Sequence, residues 1–222
     1  MNNLIIAIDG PAGSGKTTSA KVVAEHFNYL YIDTGAMYRA VTLFCIKNNL
    51  GLDEKLICES LKNIKIDLIP SDKGQRTLLN GEDVSVYIRL PEVTKLVSPV
   101  SAMACVREAM VNQQRQIGRN KAVVMDGRDI GTVVFPDADL KIFLVATIEA
   151  RAKRRFLELQ KSGITIPLEE IMEQIISRDE YDSSRENSPL KKADDAIEID
   201  TSNLSIEQQT KLIIQYAEKL IV

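Results

Sequence analysis

The sequence predicts an α/β fold: a parallel five-stranded sheet flanked by helices, with a small antiparallel insertion and a mobile connection between two helices. Short apolar runs alternate with long helical patterns along most of the chain, as expected for strands covered on both sides by helices. A glycine-rich loop separates the first apolar run from the first helix. One region, between Ile64 and Pro91, breaks the rhythm with short alternating stretches.

The first run, Leu4–Ile8, is continuously apolar, as a strand buried on both faces requires, and Lys16–Phe27 after it has helical character. Strand-like runs recur at Tyr29–Ile32, Ala122–Met125, Leu140–Val145 and Ala196–Ile199. Helical patterns cover Gly35–Asn48, Glu54–Asn63, Val100–Gly118, Ile148–Ser162, Leu168–Ser183 and Ile206–Leu220. Within the irregular region, "IKIDLIP" and "QRTLLNGEDV" alternate in polarity, and turn formers stand at Asp72–Gly74 and Asn80–Gly81. This predicts a small antiparallel insertion on the helical side of the core. In "QKSGITIPLEE" (160–170), Gly163 ends one helix and Pro167 opens the next, which predicts a mobile connection.

A chain of 222 residues, 45% hydrophobic and 27% charged, suits one domain with small appendages. A net charge of −3 argues against wholesale binding to nucleic acid, which favours a broad basic face. The apolar start is too short for a signal-peptide core, and no run of 18 apolar residues occurs, so the expectation is a cytoplasmic protein without membrane contact. Cys45, Cys58 and Cys105 show no paired spacing for zinc or a disulfide framework and are expected as small buried hydrophobes. The lone His26 lies far in sequence from any candidate nucleophile, so mechanisms built on a histidine base or ligand are poorly supported.

The stretch "AIDGPAGSGKTTSA" (7–20) fits G-x-x-x-x-G-K-[ST], and its context is strand, loop, helix. The phosphate-binding set is Gly10, Pro11, Ala12, Gly13, Ser14, Gly15, Lys16, Thr17 and Thr18. Glycines let successive backbone N–H groups turn toward β- and γ-phosphate oxygens, Lys16 adds a point charge, and the Thr17 hydroxyl suits Mg²⁺. The core expected is therefore that of a P-loop NTPase. Such loops serve GTPases, motors and small-molecule kinases alike. An N-K-x-D guanine reader is missing, since "NKAV" (120–123) lacks the aspartate. Arginines are abundant instead: "RAKRRF" (151–156) and "SRDEYDSSR" (177–185) bracket the mobile connection, and closing it would bring guanidinium groups over one site. Phosphoryl transfer needs charge neutralisation around peripheral oxygens, and a phosphate acceptor, largely dianionic at neutral pH, attacks without a general base.

The strings "IAIDGPAGSGKTT", "DTGAMYRAV" (33–41), "LNGEDVS" (79–85) with "IR" (88–89), "VREAM" (106–110), "MDGRDIGTVVFPDADLKIFL" (125–144) and "SRDEYDSSR" resemble those of bacterial cytidylate kinases, in order over almost the whole chain. The resemblance implies ATP-dependent phosphorylation of CMP and dCMP, with Mg²⁺, by a monomer. It implies that Arg39, Arg128 and Arg185 hold the acceptor phosphate, that Thr34, Ser98, Arg107 and Asp129 surround the cytosine, and that Asp182 with Arg178 holds the ribose. Arg178 also approaches the transferred phosphate, which makes Lys16, Arg128, Arg178 and Arg185 the catalytic set. Residues 64–91 resemble the family's acceptor-binding subdomain, set into a core of 1–63 and 92–222. Residues 154–167 resemble its lid, served by Arg151, Arg154 and Arg155. Two departures are visible: Thr34 where the family often has Ser, and "MAC" (103–105) in place of an aromatic-and-proline segment, which loosens the placement of Ser98 relative to Arg107.

The base chemistry agrees independently. Cytosine presents an N4 donor beside N3 and O2 acceptors, whereas uracil presents an O4 acceptor beside an N3–H donor, so a carboxylate at Asp129 suits the first and repels the second. Asp126, ending "AVVMD", stands beside Mg²⁺ through water or caps a turn; Asp9 orients the loop or arginines and has no catalytic role. A kinase for UMP or for a hydroxyl acceptor, and a regulatory module that holds ATP without turnover, stay open on the residues alone.

Overall fold

The computed structural model describes residues 3–71, 74–120, 122–161 and 163–221. Five parallel strands form the main sheet: β1 (Ile5–Asp9), β2 (Leu30–Asp33), β6 (Val123–Gly127), β7 (Leu140–Val145) and β8 (Ile197–Asp200). Their order is β2-β6-β1-β7-β8, with β1 central. Alternation along β1 explains the two layers. Ile6 and Ile8 point into a core with Val23 and Ala24 of α1 (Lys16–Phe27) and Ile213 and Ala217 of α8 (Ile206–Glu218). Ala7 faces the other side, where Ile32 and Met125 meet Val111 of α5 (Ala104–Ile117). The register pairs Asp9 with Gly127 and Asp33 with Asp126, so three carboxylates end together on the carboxyl edge of the sheet.

The insertion is a three-stranded antiparallel sheet, β3 (Ile66–Ser71), β4 (Gly74–Leu79) and β5 (Glu82–Asp83). Residues 72 and 73 of the expected first turn lie outside the described residues.

 Asn80 (φ 51°) and Gly81 (φ 86°) both take left-handed backbone, which is the geometry of the tight primed turn that joins β4 to β5. The apolar side of this sheet, with Ile66 and Leu79, is continuous with Met37 of α2 (Thr34–Lys47), Val93 and Val97 of α4 (Pro91–Ala102) and Met110 of α5. The insertion therefore shares its core with the helices around it.

Three expectations need correction. The helix expected over Val100–Gly118 is two helices, α4 and α5, broken at Met103, whose backbone is extended (φ −62°, ψ 129°). α4 begins nine residues earlier than expected, at Pro91, whose fixed φ and missing N–H suit a first helical turn, and it carries Pro99 inside. The helix expected over Glu54–Asn63 is α3 (Glu54–Ser60) followed by a short 3₁₀ turn, Leu61–Asn63. Cys58 and Cys105 are not isolated apolar residues: packing of α3 on α5 joins them in a disulfide, with Cα atoms 5.7 Å apart, whereas Cys45 is buried and free. The bridge spans a sequence separation of 47 residues that contains the whole insertion. Its reduction, or Cys58→Ser, is expected to lower unfolding stability by about 2–4 kcal/mol through regained chain entropy, checked by denaturant titration with and without a dithiol.

α6 (Ile148–Lys161) and α7 (Leu168–Ser184) form a hairpin with a small apolar cluster of its own, Ala152, Ile171 and Ile175. Ser162, the expected last residue of the first of these helices, lies outside the described residues. Among the described residues, no helix is long and apolar enough to cross a membrane.

Candidate active site

The loop 10–15 runs from the end of β1 into α1. Gly15, at φ 90°, is the helix cap, a left-handed backbone that favours glycine; a Cβ there would lie 2.6 Å from Gln209 Nε2 and would displace that amide. The loop is braced from behind. The Gln209 amide donates to Ser19 Oγ, Thr201 Oγ1 donates to the Ser14 carbonyl at 3.0 Å, and Arg151 Nη1 donates to the Ala12 carbonyl at 3.2 Å. Ser14 Oγ is buried without a hydrogen-bond partner, and Thr18 is exposed on the helix.

Lys16 is buried and its Nζ donates to the Pro11 carbonyl at 2.9 Å. Burial, reinforced by Arg128, pulls its pKa down to about 7. A polyphosphate beside it favours the ammonium form, so binding above this pH must draw a proton from solution. The expected result is proton uptake when ATP binds at pH 8, and affinity that falls as pH rises above about 7. Calorimetry in two buffers of different ionisation enthalpy measures it; the same apparent enthalpy in both would contradict it.

At the carboxyl edge, Thr17 Oγ1 and the Tyr31 hydroxyl donate to the two oxygens of Asp126, each at 2.8 Å, and Thr34 Oγ1 donates to the Asp126 carbonyl at 2.7 Å. Burial and then the neighbouring Asp33 raise the Asp126 pKa. Asp33 caps α2 by accepting from the Ala36 N–H at 2.8 Å, and it pairs with Arg39 at 3.0 Å. Burial opposes ionisation of Asp33, but Arg39, the Ala36 amide and Arg89 together outweigh it and hold the pKa low. Asp9 accepts from the Ile130 and Gly131 amides.

Two further groups face this edge. Arg107 Nη2 makes a buried, very short ion pair with Asp129 Oδ2, its Nη1 donates to the Ser101 carbonyl at 3.1 Å, and its guanidinium lies 5.2 Å from the Tyr38 ring centre. Ser101, rather than Ser98, touches Arg107; Ser98 instead accepts from the Ser101 hydroxyl through its carbonyl. Around buried Asp182 stand Arg128 at 2.9 Å, Arg185 at 3.7 Å and Arg178 at 4.0 Å. Burial disfavours the charge of Asp182, yet these three arginines hold its pKa low. One carboxylate cannot offset three cations, and burial with the neighbouring Arg128 lowers Arg178 to about 10. Such a concentration of guanidinium groups is suited to phosphate oxygens.

Among the arginines expected in the lid, Arg151 is buried, holding Ala12 and pairing with Asp179 at 2.5 Å, and Arg154 donates to Gly13 and to Thr201. Arg155 is turned away, toward Glu158 at 3.2 Å. Arg151 and Arg154 thus brace the phosphate loop in this conformation. Tyr31, Asp33, Ser101 and Asp179 are site groups for which the sequence offered no assigned role, whereas Asp9, expected to orient the loop or arginines, holds two amides. Asp33, inside the quoted "DTGAMYRAV" string, and Asp179, inside "SRDEYDSSR", had a visible signal; Tyr31 and Ser101 had none. Thr17 and Asp126 supply hard oxygen donors at the head of α1, a donor set that fits Mg²⁺.

The family profile described as Cytidylate kinase matches residues 6–219. A cytidylate kinase of Fusobacterium nucleatum subsp. nucleatum is 50% identical over 99% of this chain and 100% of its own length. One from Bacillus velezensis is 52% identical, and one from Bacillus subtilis 50%, each over 97% of both chains. The crystal structure of an uncharacterized protein from Eubacterium ventriosum ATCC 27560 shares the fold, with a TM-score of 0.51 at 15% identity over 97% of this chain and 98% of that one. With its phosphate loop, arginine cluster and matched family profile, the chain belongs to the cytidylate kinase family.

Proposed function

We propose that the protein transfers the γ-phosphoryl group of ATP to the phosphate of CMP or dCMP, giving ADP and the corresponding diphosphate. The observation that carries this reading is the position of three arginines around Asp182, on the same carboxyl edge as Lys16 and the phosphate loop. Residues 10–18 cradle the donor phosphates, and Lys16 neutralises charge on the transferred group. Arg39, Arg128 and Arg185 hold the acceptor phosphate, and Arg178 reaches toward the transferred one. Asp182 positions these arginines and receives the ribose. The acceptor phosphate oxygen is itself the nucleophile, so no side chain needs to remove a proton.

Asp129 accepts from cytosine N4, while Arg107 donates to N3 or O2. Thr34 lies behind this pocket, and Ser98 shapes it through Ser101. Thr17, together with Asp126 through a water, would hold Mg²⁺, which would supply positive charge against the charge that develops on the donor phosphates. Residues 64–91 close over the acceptor, and the 154–167 connection excludes water from the donor, so that CMP is phosphorylated in preference to water. The reading is of an enzyme that acts as a monomer in the cytoplasm.

The test is ADP release from Mg·ATP with CMP, dCMP, UMP, AMP and GMP in turn. Turnover with CMP and dCMP well above the others is expected. Equal rates with UMP would assign a broader pyrimidine kinase, and no ADP with any acceptor would leave a nucleotide-holding module.

A further inference from the structure

The base-facing aspartate stands at the head of an unusual piece of backbone. Residues Ile130–Val134 form a single π-turn: the Asp129 carbonyl accepts from Val133 and Val134, and the Ile130 carbonyl accepts from Phe135 at 2.7 Å. Asp129 makes no side-chain cap of its own turn, so its carboxylate is left for Arg107. The leading amides are instead held from the opposite side of the site. Asp9 Oδ1 accepts from Ile130 N–H at 2.9 Å and Oδ2 from Gly131 N–H at 2.7 Å. At the trailing end, Arg115 donates to the Val133 and Val134 carbonyls at 2.7 and 3.0 Å. The π-turn is therefore clamped at both ends, and the clamp nearest Asp129 belongs to the residue immediately before Gly10.

We propose that Asp9 is a positioning residue for base selection: its carboxylate fixes the Ile130 and Gly131 amides and so sets Asp129 at the height where it pairs with Arg107 and meets cytosine. The inference rests on the reading of Asp129 as the base-facing group. Asp9 is 4% exposed and its two hydrogen bonds bridge more than a hundred residues of sequence, from the root of the phosphate loop to the acceptor pocket. Arg107 and Asp129 are themselves buried, so a small shift of the turn changes the alignment of both with the base. Burial, relieved by the two amides, leaves the Asp9 pKa at about 7, with Asp129 and Lys16 as its charged neighbours; at pH 8 the carboxylate form prevails.

The experiment measures kcat/KM for CMP and for UMP at pH 8 in the wild-type enzyme, Asp9→Asn and Asp129→Ala. An asparagine keeps one acceptor but turns an N–H toward the other amide. The CMP-to-UMP ratio is expected to contract about tenfold in Asp9→Asn, the effect of one lost hydrogen bond to a charged group. General damage to the fold or to the phosphate loop lowers both substrates alike and leaves the ratio unchanged. An unchanged ratio in Asp9→Asn, with a contracted one in Asp129→Ala, overturns the role of Asp9. An unchanged ratio in Asp129→Ala overturns the base-facing assignment itself, and this inference with it. Should Asp9→Asn not fold, Asp9→Glu, which keeps both oxygens but displaces them, takes its place with the same expected contraction and the same overturning result.

Discussion

Lys16→Ala is expected to lower kcat by about 10²–10³, the loss typical of one preorganised group that stabilises transition-state charge, without lowering thermal stability. The second half follows from burial. In the ligand-free protein Lys16 has its pKa pulled down to about 7 by desolvation and by Arg128, so its charged form is a burden on the fold. Its hydrogen bond to the Pro11 carbonyl and the charges of Asp126 and Asp182 offset only part of this. Alanine removes the burden together with the charge that the phosphates need. Steady-state rates with saturating ATP and CMP, set beside melting curves of the same preparations, check both halves. A variant that keeps full kcat would show that Lys16 does not meet the transferred phosphate, and one that melts much earlier would show that it is a structural strut.

Asp129→Ala is expected to reduce kcat/KM for CMP about 10–100-fold more than for UMP, which corresponds to one or two buried partners at ~1–3 kcal/mol each. With the carboxylate present, uracil brings its O4 acceptor against an acceptor, and cytosine brings a donor. Without it the two bases lose unequally, because UMP had no favourable contact there to lose. The substitution also strands Arg107, a buried guanidinium whose pKa, pushed down by burial, is held up by Asp129. Some loss of stability therefore accompanies it, and the comparison between the two acceptors, not the absolute rate, is the informative quantity. Equal losses for CMP and UMP would remove Asp129 from base recognition.

The donor half of the site was legible in the sequence because its chemistry is local. From Gly10 to Thr18, loop, charge and helix start follow one another in the chain, and their spacing alone defines a cradle for phosphate. The five strands were legible for a similar reason, since a strand buried on both faces must be apolar without interruption; the observed bounds differ by only a residue or two. The Asn80–Gly81 turn was visible too, because those residue types tolerate the left-handed backbone found there.

What the chain alone could not show depends on contacts between distant segments. No spacing rule joins Cys58 to Cys105; the packing of α3 on α5 does. The break at Met103 separates two helices with compatible periodicity, and Pro99 sits inside a helix rather than ending one. Arg151 and Arg154 looked like parts of a mobile lid on charge and position, yet in this conformation they hold phosphate-loop carbonyls. Asp9, at the end of the first strand, was expected to orient the loop or arginines; only the pairing of β1 and β6 in register showed that its carboxylate meets two amides over a hundred residues away.

The sequence by itself determined the strand, loop and helix that receive a triphosphate, and the supply of arginines for a second anion, because backbone sterics and formal charge are properties of neighbouring residues. Only the tertiary structure decided which arginines converge on Asp182, which carboxylate faces Arg107, and which one holds the turn between them. Those are matters of distance and desolvation, and both arise only when the sheet closes and water leaves.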